Sequence, residues 1–315
     1  MSTNNASAKS DKLMGPEGEP TLATHTGLLI VNADDWGQDT ENTDRTLDCI
    51  LCGAVSSVSA MVFMEDSERA AAIARERGID VGLHLNFTSR FSGPNTSSLL
   101  NEHQHRLSRF LQRFRLAQVL FHPGLSNSFE YVVLAQLDEF RRIYVEGPNR
   151  VDGHHHMHHC ANVILRKLIP SGIVVRRNFT FQRGEKGFCN RMYRQFVDNM
   201  LQRRHYLTDF FFALAPVEPP DRLRKIFSFA QQFVVEVETH PVNPQEYRFL
   251  TKGEIFRLAG GLRIARRFVP FKTGGRPRPA ARSSNFGGHL ACSLPYALAL
   301  SSTIYESLVQ LSAYL

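Results

Sequence analysis

Residues 28–37 read LLIVNADDWG, an uncharged apolar run that leads into two adjacent carboxylates. The apolar part, residues 28–32, predicts a buried β-strand, and Asp34 and Asp35 follow it. Neighbouring side chains near a strand end point in different directions, so one carboxylate can bind a metal ion while the other faces a substrate. An aspartate can equally cap the next helix, and the pair alone leaves both interpretations open.

Similar apolar runs alternate with amphipathic segments along the chain. The predicted strands are 28–32, 58–63, 80–85, 150–153, 173–175, 210–214 and 233–239. The predicted helices are 40–52, 67–77, 130–146, 161–168, 191–203 and 220–231. Strand and helix in repeated alternation indicate an α/β fold with a parallel sheet, either open or closed into a barrel.

The composition is that of an ordinary globular protein. The 315 residues are 43% hydrophobic and 21% charged, and the length suits two average domains or one α/β barrel with appendages. The net charge of +7 allows an anionic partner, but the arginines are dispersed, which favours a solvated surface over nucleic-acid binding. We find no signal peptide and no continuous apolar span, so we expect a cytoplasmic protein without a membrane segment.

The two ends of the chain differ in composition from the middle. We expect residues 1–26 to be a disordered leader and 27–272 to be the barrel. Residues 273–315 read as a basic linker followed by an apolar terminal segment, which could pack on the barrel or on a second subunit of a homodimer. The insertion 89–128 is loop-like at first and then basic and helical over 105–115.

Five cysteines are too few and too scattered for a disulfide framework. Cys49 and Cys52 form one C-x-x-C pair, but no second pair completes a zinc site. Because their segment is predicted to be helical, we interpret them as part of a buried helix face.

Polar residues follow five of the predicted strands. In α/β folds the functional side chains lie at the carboxyl ends of the parallel strands. Besides the aspartate pair, these positions carry His84, His154, Arg176 and His240. Arg176 could bind an anion or a carbonyl oxygen, or could simply lie at the surface. A convergence of this kind on one rim indicates an enzyme.

The densest group of candidate ligands is DGHHHMHH, with five histidines in six positions after Asp152. In extended geometry His154, His156 and His158 share one face. Neutral imidazole is the commonest ligand of zinc and similar ions, and Asp152 could orient a ligating histidine from outside. An exposed histidine tract with adventitious metal affinity is the alternative.

Four motifs in this order resemble the YdjC-like carbohydrate deacetylases: LLIVNADDWG, GLHLNFT, VDGHHHMH and VEVETHP. The resemblance covers about residues 27–272, and its first and third motifs are highly specific. It implies a distorted (β/α) barrel of the glycoside hydrolase/deacetylase type. The activity it implies is hydrolysis of the acetamido group of an N-acetylated amino sugar or chito-oligosaccharide.

The resemblance also implies roles for individual residues. One divalent ion would be held by Asp35, His84 and His154. The base would be Asp34, and His240 would be the acid that protonates the leaving amine. Two further residues, His156 and Arg176, would line the substrate site. The ligand set suits zinc, whereas the family is usually described with magnesium, so the ion is Mg or Zn.

The chain departs from the family where a proline usually follows the histidine run, and in the insertion and the terminal segment. The core chemistry is unaffected by these departures, but the insertions would shape the pocket and leave the substrate open. Other functions also stay open. One is a different metal-assisted barrel hydrolase, such as a phosphoesterase or a cyclic amidase. Another is a non-catalytic protein that binds metal and polyanions, although the basic residues are not interleaved with an aromatic RNA-binding motif.

Overall fold

The computed structural model describes residues 27–113, 116–181 and 185–269. The predicted leader, 1–26, and the predicted terminal segment, 273–315, lie outside the described residues. The predictions about those two segments therefore stay predictions.

The described residues contain seven strands in one sheet, and every hydrogen-bonded pair of neighbours is parallel. The strands are β1 (Leu28–Trp36), β2 (Ser57–Ala60), β3 (Val81–Leu85), β4 (Arg150–Gly153), β5 (Val174–Val175), β6 (Phe210–Ala213) and β7 (Val234–Thr239). Their order across the sheet is β5-β4-β3-β2-β1-β7-β6. All seven predicted strands are present, and β1 extends four residues beyond its predicted end.

Nine α-helices surround this sheet within the described ranges. They are α1 (Thr40–Leu51), α2 (Ser67–Arg77), α3 (Ser98–Leu111), α4 (Ser126–Tyr144), α5 (Ala161–Leu165), α6 (Phe188–Gln202), α7 (Pro220–Phe229), α8 (Pro244–Thr251) and α9 (Glu254–Ala259). The sequence pattern missed α8 and α9, and it placed the start of α3 too late. No helix in the described part of the chain is long and apolar enough to cross a bilayer.

Local sequence fixes several helix ends. The side chains of Asp39, Ser97 and Asn243 accept backbone N–H groups in the first turns of α1, α3 and α8. At the other end of α2, Gly78 takes the left-handed conformation (φ 63°) that glycine adopts at little cost. These residues stabilise the helix ends, where backbone groups have no partner within the helix.

The sheet curls, so that its edge strands β5 and β6 approach each other. The Val175 N–H donates to the Tyr206 carbonyl (2.9 Å), and the Thr180 N–H donates to the Phe211 carbonyl (2.8 Å). These contacts join the two edges through irregular backbone. The predicted distorted barrel is confirmed in the form of a curled half-barrel of seven parallel strands.

The two faces of the curled sheet differ in chemistry. Alternate residues of the strands, among them Leu29, Val31, Leu83 and Val237, are fully buried in the main hydrophobic core. Full burial of one such side chain is worth about 1.5–3 kcal/mol. The intervening residues point to the other face and are largely polar: Asn32, Asp34, Ser57, Ser59, His84, Arg150, Asp152, Glu236 and Glu238. The interior of the curl is therefore filled by a buried polar network.

The amino ends of the strands are closed by Arg150 and Phe268. The Arg150 guanidinium donates to the Val58 carbonyl (2.7 Å) and to Asp80 Oδ1 (3.2 Å), and it lies 4.4 Å from the centroid of the Phe268 ring. Gly82 makes room for it, because a Cβ there would lie 2.7 Å from Arg150 Nε. The opposite, carboxyl end of the sheet carries the predicted site.

Candidate metal centre

The aspartate pair lies inside β1. The predicted strand end at residue 32 was wrong, because the register between β1 and β2 shifts between Ala33 and Trp36 while pairing continues. Within this irregularity Asp35 takes a left-handed backbone conformation, φ 62°. That conformation is costly for a residue other than glycine, and costs of this kind concentrate at functional sites.

The three predicted metal ligands converge on one carboxylate oxygen. Asp35 Oδ1 lies 2.9 Å from His154 Nδ1 and 3.3 Å from His84 Nε2. One ligand atom from each residue lies within 4.8 Å of the others. Ligand atoms held about 2.0–2.2 Å from a common ion are separated by about 3–3.5 Å, so this donor set fits a single divalent cation.

The carboxylate of Asp152 fixes the orientation of the His84 ring. Its Nδ1 lies 2.8 Å from Asp152 Oδ1, which leaves Nε2 directed towards Asp35. Asp152 in turn accepts the Ser59 hydroxyl (2.6 Å) and pairs with Arg176 (2.9 Å). A carboxylate that holds the far nitrogen of a ligating histidine selects its tautomer and raises its basicity.

The site attracts positive charge. Burial alone would lower the pKa of His84, but the carboxylates of Asp34 and Asp152 outweigh it and raise the pKa to about 10. Burial would likewise raise the pKa of Asp35, yet its hydrogen bonds to His154 and His84 hold it well below the usual range. The field that holds a proton on His84 also favours a metal cation in its place.

Asp34 is clamped by an arginine. Its two oxygens accept from Arg176 at 2.6 and 2.8 Å, and Asn32 Nδ2 donates to it at 2.9 Å. Burial would raise the pKa of Asp34, but the Arg176 guanidinium and His84 together hold it far below the usual range. The carboxylate is therefore ionised and fixed beside the candidate ligand His84. Its Oδ2 has a single hydrogen-bond partner in the described part of the chain.

A profile of the YdjC-like protein family matches residues 28–254, which is most of the chain. The chain belongs to the YdjC-like family. The matched region contains every residue of the group around Asp35, and the predicted family is confirmed.

Named relatives match part of this YdjC-like chain. The chain is 36% identical over 136 residues to a mouse protein named carbohydrate deacetylase. That match covers 41% of this chain and 42% of the mouse protein. It is 33% identical over 132 residues to a chitooligosaccharide deacetylase of Serratia marcescens, covering 42% and 50%. The chain thus spans about half or less of the length of these curated relatives.

A solved structure shares the fold. A protein from Enterococcus faecalis V583, described as a proposed cellobiose-phosphate cleavage protein, superimposes with a TM-score of 0.54 at 16% identity. The match covers 76% of this chain and 96% of that one. At this level of identity the comparison shows the architecture and nothing about activity.

The histidine run is not extended in this YdjC-like chain. Residues His154–His159 form a 3₁₀ helix in which His155 and His156 take left-handed backbone conformations. The prediction that His154, His156 and His158 share one face was therefore wrong. Gly153 allows the tight entry, because a Cβ there would lie 3.0 Å from the His158 nitrogen.

Because of this turn, the side chains of the histidine run have different surroundings. His158 Nε2 and His159 Nε2 both lie near the Arg176 carbonyl, at 3.1 and 3.0 Å, and burial lowers the pKa of both rings. His156 faces Glu238 (3.6 Å) and packs edge-on against the Phe179 ring. Among the described residues, His154 is therefore the one histidine of this run that belongs to the group of candidate metal ligands.

His240 and Arg176 occupy different depths. The side chain of His240 is 38% exposed, with Nε2 3.9 Å from Asp35 Oδ2, and its backbone N–H donates to Glu246 (3.0 Å). Arg176 is only 1% exposed and pairs with four carboxylates, those of Asp34, Asp152, Glu236 and Glu238. The surface placement that the sequence left open for Arg176 is wrong, since its guanidinium lies beneath the rim.

Sequence reasoning missed Glu236 and Glu238. Burial raises the pKa of both, and for Glu238 the charge of Asp34 raises it further. Even with a proton on His84, the two positive charges of His84 and Arg176 face five carboxylates, so negative charge is in excess at the carboxyl end of the sheet. These carboxylates belong to Asp34, Asp35, Asp152, Glu236 and Glu238. The signal was present in VVEVET, where two glutamates alternate with valines in a buried strand.

The cysteine interpretation holds for one residue of the pair. Cys49 is fully buried on α1, whereas Cys52 is exposed at the end of the helix, so they do not share one buried face. In the described ranges neither residue belongs to a group of candidate metal ligands.

Proposed function

We propose that this protein is a metal-dependent hydrolase that removes the acetyl group from an N-acetylated amino sugar or chito-oligosaccharide. The observation that carries the proposal is the convergence of Asp35, His84 and His154 beside a clamped, ionised Asp34. The mouse and Serratia relatives, named carbohydrate and chitooligosaccharide deacetylases, support the reaction and the substrate class.

Asp35, His84 and His154 would hold the ion. When bound, Mg²⁺ or Zn²⁺ would polarise the acetyl carbonyl and lower the pKa of a water molecule towards ~7. Three protein ligands leave coordination positions open for that water and for the substrate, which is the arrangement expected of a catalytic site.

Asp34 would be the base. Arg176 and Asn32 fix its orientation and keep it ionised at the pH of the cell. A carboxylate of such low pKa is a weak base, so it suits a water whose own pKa is already lowered. The oxygen of Asp34 that accepts the proton needs a free lone pair, and among the described residues Oδ2 accepts one hydrogen bond, from Arg176.

His240 would be the acid. Hydrolysis of an amide breaks the C–N bond, and the amine leaves only after its nitrogen gains a proton. His240 lies on the solvent side of the metal group, and histidine can donate a proton near neutral pH. Glu246 holds the backbone N–H of His240 and the Thr239 hydroxyl, which fixes the turn that carries the ring.

His156 and Arg176 take unequal shares of substrate binding in this proposal. The His156 side chain is 31% exposed and lies against Phe179, so it can contact a sugar ring. Arg176 would act through Asp34 and the other carboxylates, because it is buried beneath them. We place the enzyme in the cytoplasm, as the sequence predicted.

The test is acetate release from a panel of N-acetylated sugars, with Mg, Zn, Mn and Co supplied in turn to metal-stripped protein. We expect release from an acetylated amino sugar or chito-oligosaccharide that depends on one of these ions. Hydrolysis of phosphate esters or cyclic amides in parallel assays, without acetate release, would contradict the proposal and favour another metal-assisted hydrolase.

A further inference from the structure

A cavity of about 250 Å³ lies between α5, the segment that follows it and the end of α6. Its apolar lining consists of Val163, Ile164, Ile169, Met200 and Leu201. Its other lining residues are all basic: Lys167, Arg203, Arg204 and His205. It shares no residue with the metal centre, and its size suits a molecule smaller than a typical drug.

The lysine and the two arginines around this cavity form no ion pair with another described residue. Among the described residues, Lys167, Arg203 and Arg204 form no ion pair, whereas the adjacent Arg166 pairs with Glu130 at 3.6 Å. Three unpaired cations at the edge of an apolar cavity favour an anionic group at that edge.

The imidazole of His205 places a buried nitrogen at the wall of this cavity. The residue is 8% exposed, and its Nδ1 is buried with no hydrogen bond in the part of the chain described. Buried polar atoms are normally hydrogen-bonded, so an exception calls for an explanation. Burial, and after it the charge of Arg204, lowers the pKa of His205 to about 4, which leaves a neutral ring at the cavity wall.

Lys167 adopts a backbone conformation that favours glycine. Its φ is 55°, and the turn is held by the Leu168 N–H, which donates to the Val163 carbonyl (3.0 Å). The opposite wall is fixed by the Arg204 N–H, which donates to the Leu201 carbonyl (3.0 Å). The cavity is therefore preformed, and a lysine stands at its edge where glycine would be less strained.

We propose that this cavity binds a small monoanion with a hydrocarbon body, of the short-chain carboxylate class. The apolar walls cover the hydrocarbon part, and Lys167, Arg203 and Arg204 bind the carboxylate. His205 then lies next to the bound anion. The proposal is independent of the deacetylase reaction, because it uses no residue of the metal centre.

The test is a titration of the full chain with hexanoate, followed by NMR of the histidine rings, with the His205 signal assigned from a His205→Gln variant. We expect a saturable shift with a Kd on the order of 1 mM, the affinity that a small fragment reaches. Bound hexanoate should also raise the pKa of His205. Hexan-1-ol lacks the carboxylate and acetate lacks the hydrocarbon chain, so the Kd of each should be at least about tenfold higher than that of hexanoate.

Three variants separate binding from folding. Lys167→Gly should keep or raise the Tm, because it relieves the left-handed backbone, and should still weaken hexanoate binding about threefold to tenfold. Arg204→Met should weaken it about tenfold, and the matched control Arg166→Met should leave it unchanged. The absence of a saturable shift, equal binding of acetate, or an equal effect of Arg166→Met would overturn the proposal.

Discussion

Two arginines lie inside the curled sheet, one near each end, and their surroundings differ. Arg150, at the amino end, is 2% exposed and contacts one carboxylate, a backbone carbonyl and an aromatic ring. Arg176, at the carboxyl end, is 1% exposed and contacts four carboxylates. The charge of Arg150 is balanced by one carboxylate, whereas carboxylates are in excess around Arg176.

The difference separates a structural end from a functional end. A buried carboxylate excess is costly in a folded protein unless protons or cations compensate for it. The raised pKa values of Glu236 and Glu238 show part of that compensation by protons. In the proposed function, a divalent ion held by Asp35, His84 and His154 would supply the rest.

The largest effect is expected at Asp34. Asp34→Asn keeps the shape of the side chain but removes the proton acceptor, so turnover should fall by about 10²–10⁴ with metal binding intact. His240→Gln should give a loss in the same range. Steady-state acetate release and metal content would be measured on the same preparations, and near-normal turnover in either variant would remove that residue from the mechanism.

The next effect comes from the arginine pair. Arg176→Met leaves four carboxylates without their cation and should cost about 3–5 kcal/mol in the free energy of unfolding, with loss of activity. Arg150→Met leaves only Asp80, which is partly exposed, so its loss should be smaller, at about 1–3 kcal/mol, and the folded fraction should remain active.

Denaturant unfolding and acetate release per folded molecule measure both quantities. Arg176→Lys, which keeps the charge but loses the two-pronged contact with Asp34, is the control for charge alone. Equal losses of stability and activity in the two methionine variants would contradict the distinction between the ends.

Two glycines provide a smaller, matched comparison. Alanine at Gly153 would press on the His158 backbone at 3.0 Å, and alanine at Gly82 would press on the Arg150 guanidinium at 2.7 Å. Each should cost about 1–3 kcal/mol. Only Gly153→Ala should weaken metal affinity, because only that change displaces the turn that carries His154. Calorimetric titration with the activating ion checks this, and weaker metal binding by the Gly82 variant would count against it.

The smallest effect concerns acid. His205 has a folded-state pKa of about 4 against an ordinary value of 6.5, so between these values the unfolded chain binds more protons. Titration of His205 therefore leaves the free energy of unfolding unchanged well above pH 6.5 and lowers it as the pH falls. The decrease should be about 2 kcal/mol between pH 7 and pH 5. His205→Gln should flatten that part of the stability profile. An unchanged slope in the variant would exclude His205 as its cause.

The sheet was predictable because its strands have a strong local signal. Seven apolar runs gave seven strands, and the buried, parallel arrangement follows from their alternation with helices. The end of β1 was misplaced because a polar pair inside a strand looks like a strand end. Helices α8 and α9 were missed because each is short, at 8 and 6 residues, with little periodicity to detect.

The candidate site was predictable in part. The strand ends and the family motifs predicted that Asp35, His84 and His154 lie close together, and the structure places them close together. The 3₁₀ turn was not predictable, because the left-handed conformations of His155 and His156 depend on Gly153 and on contacts with the distant Arg176 carbonyl. The burial of Arg176 among four carboxylates is likewise a tertiary property.

The measurement that tests the central claim most directly is the metal content of Asp35→Ala, His84→Ala and His154→Ala after dialysis. Wild type and Asp34→Asn serve as controls. The account predicts one divalent ion in wild type and in the Asp34 variant, and a large loss in each of the three alanine variants. Wild-type stoichiometry in all three would contradict the claim that these residues hold the ion.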